Sequence, residues 1–385
     1  MGALDQTAKN HLITLFLCGD VMTGRGIDQI LAHPGKPVLH EGYMKDARGY
    51  VELAEAVHGP IFRNAGPAYI WGDALDELKK ASPHVSIINL ETSITTSDDF
   101  WAGKEVQYRM HPDNIDCISA AGIGVCSLAN NHVMDWGYSG LRETLLTLAK
   151  AKIKSAGAGM NIREAEGPAI VELSGKGRVV VFAFGSPTAG VPLSWAATDT
   201  TPGVNLLKDF SDRSVRGIRG LIEGVKRTGD IVVLSLHWGG NWGHELSPAE
   251  IRIAHRLIDE AGVDIVHGHS SHHVKGIEVY QDRLILYGCG DFLNDYEGIG
   301  GYEYFRADLG LMYFASMDQA TGKLVGLQMT PTRIRHFKVN RASHDETRWL
   351  ADVLNREGKK LGTTVDLNEH NVLTLQWKHH GSPVA

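Results

Sequence analysis

The sequence has no run of about 18 apolar residues, the length a helix needs to cross a bilayer. It has no CxxC pair: Cys18, Cys117, Cys126 and Cys289 sit singly in or beside apolar stretches. That pattern fits reduced thiols in a cytosolic protein and leaves a disulfide open. Its Lys and Arg are scattered, and the formal charge is −7, so nucleic acid has no electrostatic footprint here. Internal repeats, low-complexity tracts and Pro/Ser-rich linkers are missing too. The opening MGALDQTAKN has no basic segment followed by an apolar one. The expectation is a soluble, cytoplasmic protein with neither nucleic acid nor membrane as partner.

What is present is ample apolar material and much histidine. The chain has 385 residues, 43% of them hydrophobic, enough for one large core or two smaller ones. Its 19 histidines exceed what packing needs, which gives weight to metal or proton chemistry.

Apolar, β-branched runs alternate with amphipathic segments. HLITLFLCGD, HVSIINLET, GVCSLANNH, RVVVFAFG, DIVVLSLHWG, VDIVHGH and RLILYGCGDF read as strands. GDALDELKKA, NIDCISAAG, YSGLRETLLTLAKAKI and SPAEIRIAHRLIDEAG read as helices between them. GLMYFASMD and GKLVGLQMTPTRI form a hairpin-like pair at the end. The alternation predicts α/β units and a helix-covered sheet with an antiparallel portion. Residues 32–67 carry little periodicity and are long for a connection, so a lid or substrate loop is expected there. One domain over 1–385 is expected, with a core of about 12–334 and a C-terminal extension over 335–385.

Polar residues fall where these strands end. Asp20 closes the first, Asn89 and Glu91 the second, and Asn130, Asn131 and His132 the third. His237 closes another, and His267, His269, His272 and His273 crowd the last, in HGHSSHH. Carboxyl ends of strands in open α/β sheets converge on one crevice. Asp, Glu, Asn and His gathered there supply ligands for divalent cations. Singly each is weak: NNH serves as a turn or cap, LHWG as a core histidine, HGHSSHH as a surface cluster. GDVMTGRG lacks the Lys-Ser/Thr of a P-loop and the spacing of a dinucleotide fingerprint.

In order, GDVMTGR, NLET, LANNHVMDWG, LHWG, GHSSHHVKGIEVY and LILYGCGDF resemble the successive motifs of the CapA family. That family is named for a poly-γ-glutamate capsule protein and belongs to the metallo-dependent phosphatase (calcineurin-like) superfamily. The resemblance runs from about Leu12 to Ile334. It implies a four-layer α/β/β/α sandwich with up to two divalent metal ions, Mn, Zn or Ca, and no organic cofactor. By the same resemblance Asp20 holds the first metal, which His272 completes, and Glu91 bridges. Asn131, His237 and His269 hold the second metal. His132 falls where the superfamily keeps a histidine for proton transfer.

Three departures stand out, one being that the bridging residue is Glu91 where the superfamily usually has Asp, which should move the metals slightly. Superfamily phosphatases carry His two residues after the first Asp; here Met22 stands there, and a thioether is a poor ligand for these metals. CGDF replaces the LGNF usual in CapA-like chains, which adds Asp291. Such a centre can bind a phosphate for hydrolysis, or a carboxylate so that the adjoining Cα loses its proton. Epimerisation needs an acid and a base on opposite faces. His132 is one candidate; Asp20, Asp291, Asp295 and Cys289 are candidates for the other, with capping or turn roles open to Asp291 and Asp295.

Trp136, Trp238 and Trp242 are candidates for an aromatic wall around a bulky side chain such as Trp, or for packing. Arg25 and Arg109 are candidates for pairing a peptide carboxylate or backbone, with a structural ion pair open to Arg25. The family's soluble branch, which the chain resembles, inverts the C-terminal residue of a ribosomal lasso-peptide precursor. The leading expectation is therefore a metal-dependent peptide epimerase. A metallophosphoesterase is the runner-up, and a non-catalytic accessory protein of poly-γ-glutamate synthesis the third.

Overall fold

A computed structural model describes residues 11–378; the opening residues and the tail of the expected extension, 379–385, lie outside them. β1 (Leu12–Val21), β2 (Val85–Leu90), β3 (Val125–Ser127) and β4 (Lys154–Ala156) form the parallel half of a first sheet. A second sheet follows in the chain. It contains β5 (Ala169–Leu173), β6 (Gly177–Gly185), β7 (Ile231–His237), β8 (Ile265–His269), β9 (Ile277–Tyr280) and β10 (Arg283–Leu286). The order across it is β9-β10-β8-β7-β6-β5, parallel from β10 to β6 and antiparallel at both edges.

The chain then returns to the first sheet. β11 (Asp291–Leu293) pairs in parallel with β1, and β12 (Leu309–Asp318) runs antiparallel to β1. β13 (Leu324–Ile334) forms the expected hairpin with β12. β14 (Val339–Arg341), β15 (Thr363–Leu367) and β16 (Leu373–Trp377) extend this sheet, so the C-terminal residues are part of it.

Alternation along the strands decides what packs where. In β1, Leu15 and Leu17 turn one way, where with Ile87 they meet Val179, Val181 and Val233 of the second sheet. Phe16 and Cys18 turn the other way. There they meet α1 (Arg48–His58), α2 (Ala74–Ala81) and α3 (Gly137–Lys150) through Val51, Leu78 and Leu141. On the far face of the second sheet, Val180, Val232 and Val266 meet α4 (Asp212–Glu223) and α5 (Pro248–Asp259) through Ile218 and Ile253. α6 (His344–Gly358) adds Leu350 and Leu354 to the core between the sheets. β2 and β7 are buried throughout, which is why they read as near-continuous apolar runs. α5 starts on a capping box between Ser247 and Glu250 with Pro248 in its first turn, the signal carried by SPAE.

Two expectations differ in detail. RLILYGCGDF is not one strand: β10 belongs to the second sheet and β11 to the first, and Tyr287–Gly290 crosses between them. The crossing demands glycine. A Cβ on Gly19 would sit 1.7 Å from the carbonyl oxygen of Gly290, and Gly290 itself has φ 78°. The segment 32–67 carries α1, which buries Tyr50, Val51 and Ala54. Among the described residues no helix is long and apolar enough to cross a membrane.

Candidate functional site

The carboxyl ends of β1, β2, β3, β7 and β8 meet at one edge, together with the start of β11. Asp20 lies at the centre. Its carboxylate forms one triad with His237 and His269 and a second with His272 and Asp291, all ligand atoms of each triad lying within 4.8 Å of one another. Register makes both. His237 and His269 are directly paired across β7 and β8, and Asp20 and Asp291 across β1 and β11.

Backbone and amide groups hold these side chains. Asn89 donates to Asp20 Oδ1 at 2.7 Å and to Glu91 Oε2 at 3.1 Å. Ser270, between the two histidine ligand candidates of its loop, adopts φ 101°, and its amide donates to Asp20 Oδ2 at 3.2 Å. A non-glycine residue in that conformation is strained, and such strain gathers at functional sites. Asn131 Oδ1 lies 3.0 Å from His237 Nε2, and His272 Nδ1 lies 2.9 Å from Asp291 Oδ1. Glu91 stands 3.9 Å from His237 and 3.8 Å from His132.

The electrostatics are those of buried carboxylates crowded beside imidazoles. Burial, then the neighbouring Asp291, pushes the Asp20 carboxyl up to about 7. Burial, then Asp20 and Asp291, pushes Glu91 well above the carboxylate range. Burial, then nearby imidazoles, holds His237 and His269 well below the usual histidine value. At His272 burial acts downward, but the charge and hydrogen bond of Asp291 prevail and raise it. Crowded buried carboxylates beside neutral imidazoles are costly until a positive charge is shared among them. The donor set, carboxylate oxygen with imidazole nitrogen, suits a divalent ion.

His132 stands beside this cluster. Its Nδ1 meets Asp135 Oδ2 at 2.6 Å, and Lys104 pairs with the other Asp135 oxygen at 3.3 Å. Burial holds the imidazole down at about 4 in spite of Asp135, so it is neutral at physiological pH. Asp135 fixes Nδ1 as the protonated nitrogen and leaves the Nε2 lone pair on the Glu91 side.

A cavity of about 380 Å³ opens next to His272. Tyr43, Tyr108, Trp242, Tyr296 and Tyr302 are among its walls. Trp242 stacks on Tyr302 at 3.9 Å between ring centres. Tyr108 and Tyr296 share a hydroxyl contact of 3.1 Å and lie edge-on to His132 and His272 respectively.

Other sequence candidates lie elsewhere. Trp136 is buried under the Arg109 guanidinium, 3.7 Å from its ring centre, and donates to Tyr108 O. Arg109 is spent on Ser97 O, Lys36 O and Asp98. Trp238 packs with Phe210 and Tyr287 on the outer face of the second sheet. Arg25 reaches the cavity wall, but its guanidinium is taken by Asp295 at 2.5 and 3.1 Å, by Glu41 at 3.3 Å and by Tyr50 at 2.9 Å. Asp295 is held by that same pairing. Cys289 lies in the core between the sheets, where burial keeps its thiol protonated. Met22 is buried against the Tyr296 hydroxyl, 3.7 Å from its sulfur, and belongs to neither triad.

A model of the bacterial capsule synthesis protein PGA_cap matches residues 14–296, most of the chain and all of these motifs. The chain belongs to that family. A probable polyglutamine synthesis accessory protein of Mycobacterium tuberculosis (strain H37Rv) is 47% identical over 365 residues, covering 94% of this chain and 96% of that one. The PGA biosynthesis protein CapA of Bacillus subtilis (strain 168) is 26% identical over 291 residues, 75% of this chain and 65% of that one. The capsule biosynthesis protein CapA of Bacillus anthracis is 26% identical over 290 residues, 74% and 61% of the two chains. GAP50, the anchor in the inner membrane complex of Plasmodium, aligns over 93% of this chain and 98% of that one. The TM-score is 0.36 and the identity 9%.

In this PGA_cap member, sequence reasoning missed Asp135 and the Tyr108–Tyr296 pair. Asp135 had a signal: NHVMD sets an aspartate three residues after the histidine. The tyrosines had none, because 188 residues separate them.

Proposed function

We propose that this PGA_cap member serves the synthesis of a glutamate polymer and that its contribution is a metal-dependent acid–base step on a peptide-type substrate. The names of its relatives support the polymer context. The chemistry rests on one observation: the His132–Asp135 dyad, with its free nitrogen turned toward Glu91, beside two overlapping sets of metal donors. The two sheets with helices outside them are in keeping with the four-layer sandwich of the metallo-dependent phosphatase superfamily.

Asp20, Glu91, Asn131, His237, His269 and His272 would hold the metal ions. Bound there, divalent ions supply positive charge that favours a substrate carboxylate and acidifies the carbon next to it. The chain's own residues do the rest. The aromatic walls of the cavity orient the substrate and exclude water. His132 Nε2 accepts a proton, because Asp135 keeps Nδ1 as a donor and the ring is neutral. Tyr108 and Tyr296, whose hydroxyls burial keeps protonated, donate hydrogen bonds at the cavity wall. Inversion is complete when a second acid delivers another proton to the opposite face of the carbon while His132 keeps the one it took; this is the epimerase reading. Asp295, paired with Arg25, and Cys289, in the core between the sheets, are held away from that face.

A second reading is a non-catalytic accessory role, favoured by the word accessory in the name of the 47% identical relative. The two separate in deuterium oxide. Metal-replete protein is incubated with poly-γ-glutamate oligomers and with peptides ending in glutamate or tryptophan. Deuterium uptake at Cα, abolished in His132→Ala, is expected. Rapid hydrolysis of a generic phosphodiester without exchange would make the chain a phosphoesterase, and neither activity would leave the accessory role.

A further inference from the structure

The two triads share Asp20 and differ in chemistry. One adds two imidazoles, His237 and His269; the other adds one imidazole, His272, and a second carboxylate, Asp291. Asp291 is not incidental to that place. β11 pairs in parallel with β1 so that Asp20 and Asp291 are register partners. Paired residues on neighbouring strands turn to the same face, so register alone sets two buried carboxylates side by side.

Neither carboxylate has a fixed cation. Among the described residues, Asp20, Glu91 and Asp291 form ion pairs only with histidines. Four residues after Asp291, Asp295 is neutralised by Arg25 at 2.5 Å, which shows how this fold treats a buried aspartate it means to keep inert. Asp291 instead keeps one oxygen toward His272 and accepts from Asn294 at 2.7 Å on the other. Met22, just past the end of β1, brings only a thioether, buried against the Tyr296 hydroxyl.

We propose that Asp291 is itself a metal ligand, supplying the donor that Met22 does not, and that this makes the two metal positions unequal. The place built from Asp20, Asp291 and His272 is carboxylate-rich and takes a hard cation such as Mn²⁺. The place built from Asp20, His237 and His269 is imidazole-rich and takes a borderline cation such as Zn²⁺. The inference rests on the metal-dependent reading above but needs no turnover to be tested.

Metal-stripped full-length protein is given one equivalent of Zn²⁺ and then titrated with Mn²⁺, with free Mn²⁺ followed by electron paramagnetic resonance and bound Zn²⁺ by elemental analysis. The wild type is expected to hold one ion of each kind. Asp291→Asn, nearly isosteric, is expected to weaken Mn²⁺ by about tenfold or more and leave Zn²⁺ within about threefold. His237→Asn is expected to do the reverse, with folding of both checked by thermal melting. An Asp291→Asn protein that binds Mn²⁺ like the wild type, or loses both ions equally, overturns the inference and leaves the proposed function standing. A wild type that binds neither ion overturns both.

Discussion

His132 is clamped at Nδ1 by Asp135 at 2.6 Å, while its Nε2 faces Glu91 at 3.8 Å. The carboxylate can only accept, so it dictates which nitrogen carries the proton. An amide in its place can donate, which reverses the tautomer and removes the lone pair from the site. Asp135→Asn is therefore expected to fold and to bind metal as before. Its rate of Cα exchange should fall by about 10²–10⁴-fold, in kcat and not in KM. Exchange at the wild-type rate would exclude the dyad from the chemistry.

The stability of the metal-free protein should depend on pH through Asp20. Burial, then Asp291, raises this carboxyl to about 7, above its value of about 4 in an unfolded chain. The contribution of a raised group is complete below its unfolded pKa and lost as pH climbs through the folded one. Melting temperature should thus fall between about pH 4 and pH 7, and the fall should be shallower in Asp20→Asn. Added Mn²⁺ should raise the wild-type melting temperature more at pH 8 than at pH 5. Equal shifts at the two pH values would count against a cation between these carboxylates.

Arg25 is a structural cation with backbone φ 49°, held by Asp295, Glu41 and Tyr50 and lying 3.9 Å over the Tyr50 ring. Arg25→Met leaves two buried carboxylates unpaired and should cost about 3–5 kcal/mol in urea unfolding. Adding Asp295→Asn should recover part of that loss. Additive costs would show that the two side chains do not act as a pair.

The two tryptophans of LHWGGNWG should behave oppositely. Trp238 is core, donating to Tyr287 O at 3.0 Å, so Trp238→Ala should cost about 3–5 kcal/mol of stability. Trp242 is a half-buried cavity wall beside His272. Trp242→Ala should leave the fold within about 1 kcal/mol and raise the substrate KM. A KM unchanged by that substitution would remove Trp242 from the substrate's path.

Strand ends were legible because parallel strands buried on both faces are written as apolar runs, and their polar residues then stand out. Asp20, Glu91, Asn131, His237, His269 and His272 were all found this way, and the structure gathers them at one edge. Within HGHSSHH the strand-end pattern alone did not sort the histidines; the family resemblance singled out His269 and His272. His267 bonds to Cys18 O at 2.7 Å, and His273 packs on Phe305, while His269 and His272 face Asp20. Sorting them by geometry needs the pleat and the φ of Ser270. RLILYGCGDF misled for a related reason: two short strands in different sheets abut through GCG, and composition alone does not mark the break. Trp136 and Trp238 followed ligand motifs by one or a few residues, but neighbours in a strand-to-loop junction turn to different faces. α1 went unread because its apolar contacts, Tyr50, Val51 and Ala54, span barely one turn.

The crossing at Gly290 has a consequence for how the centre comes into being. Asp20, Glu91, Asn131 and Asp291 hang from one sheet, and His237, His269 and His272 from the other. Asp20, which both triads share, is made at residue 20, and the partners of both triads lie beyond residue 236. A molecule whose first sheet has not met the second therefore has His272 and Asp291 near each other but lacks Asp20, the carboxylate both triads share. The centre is thus a seam between the two sheets, complete only where both are in place.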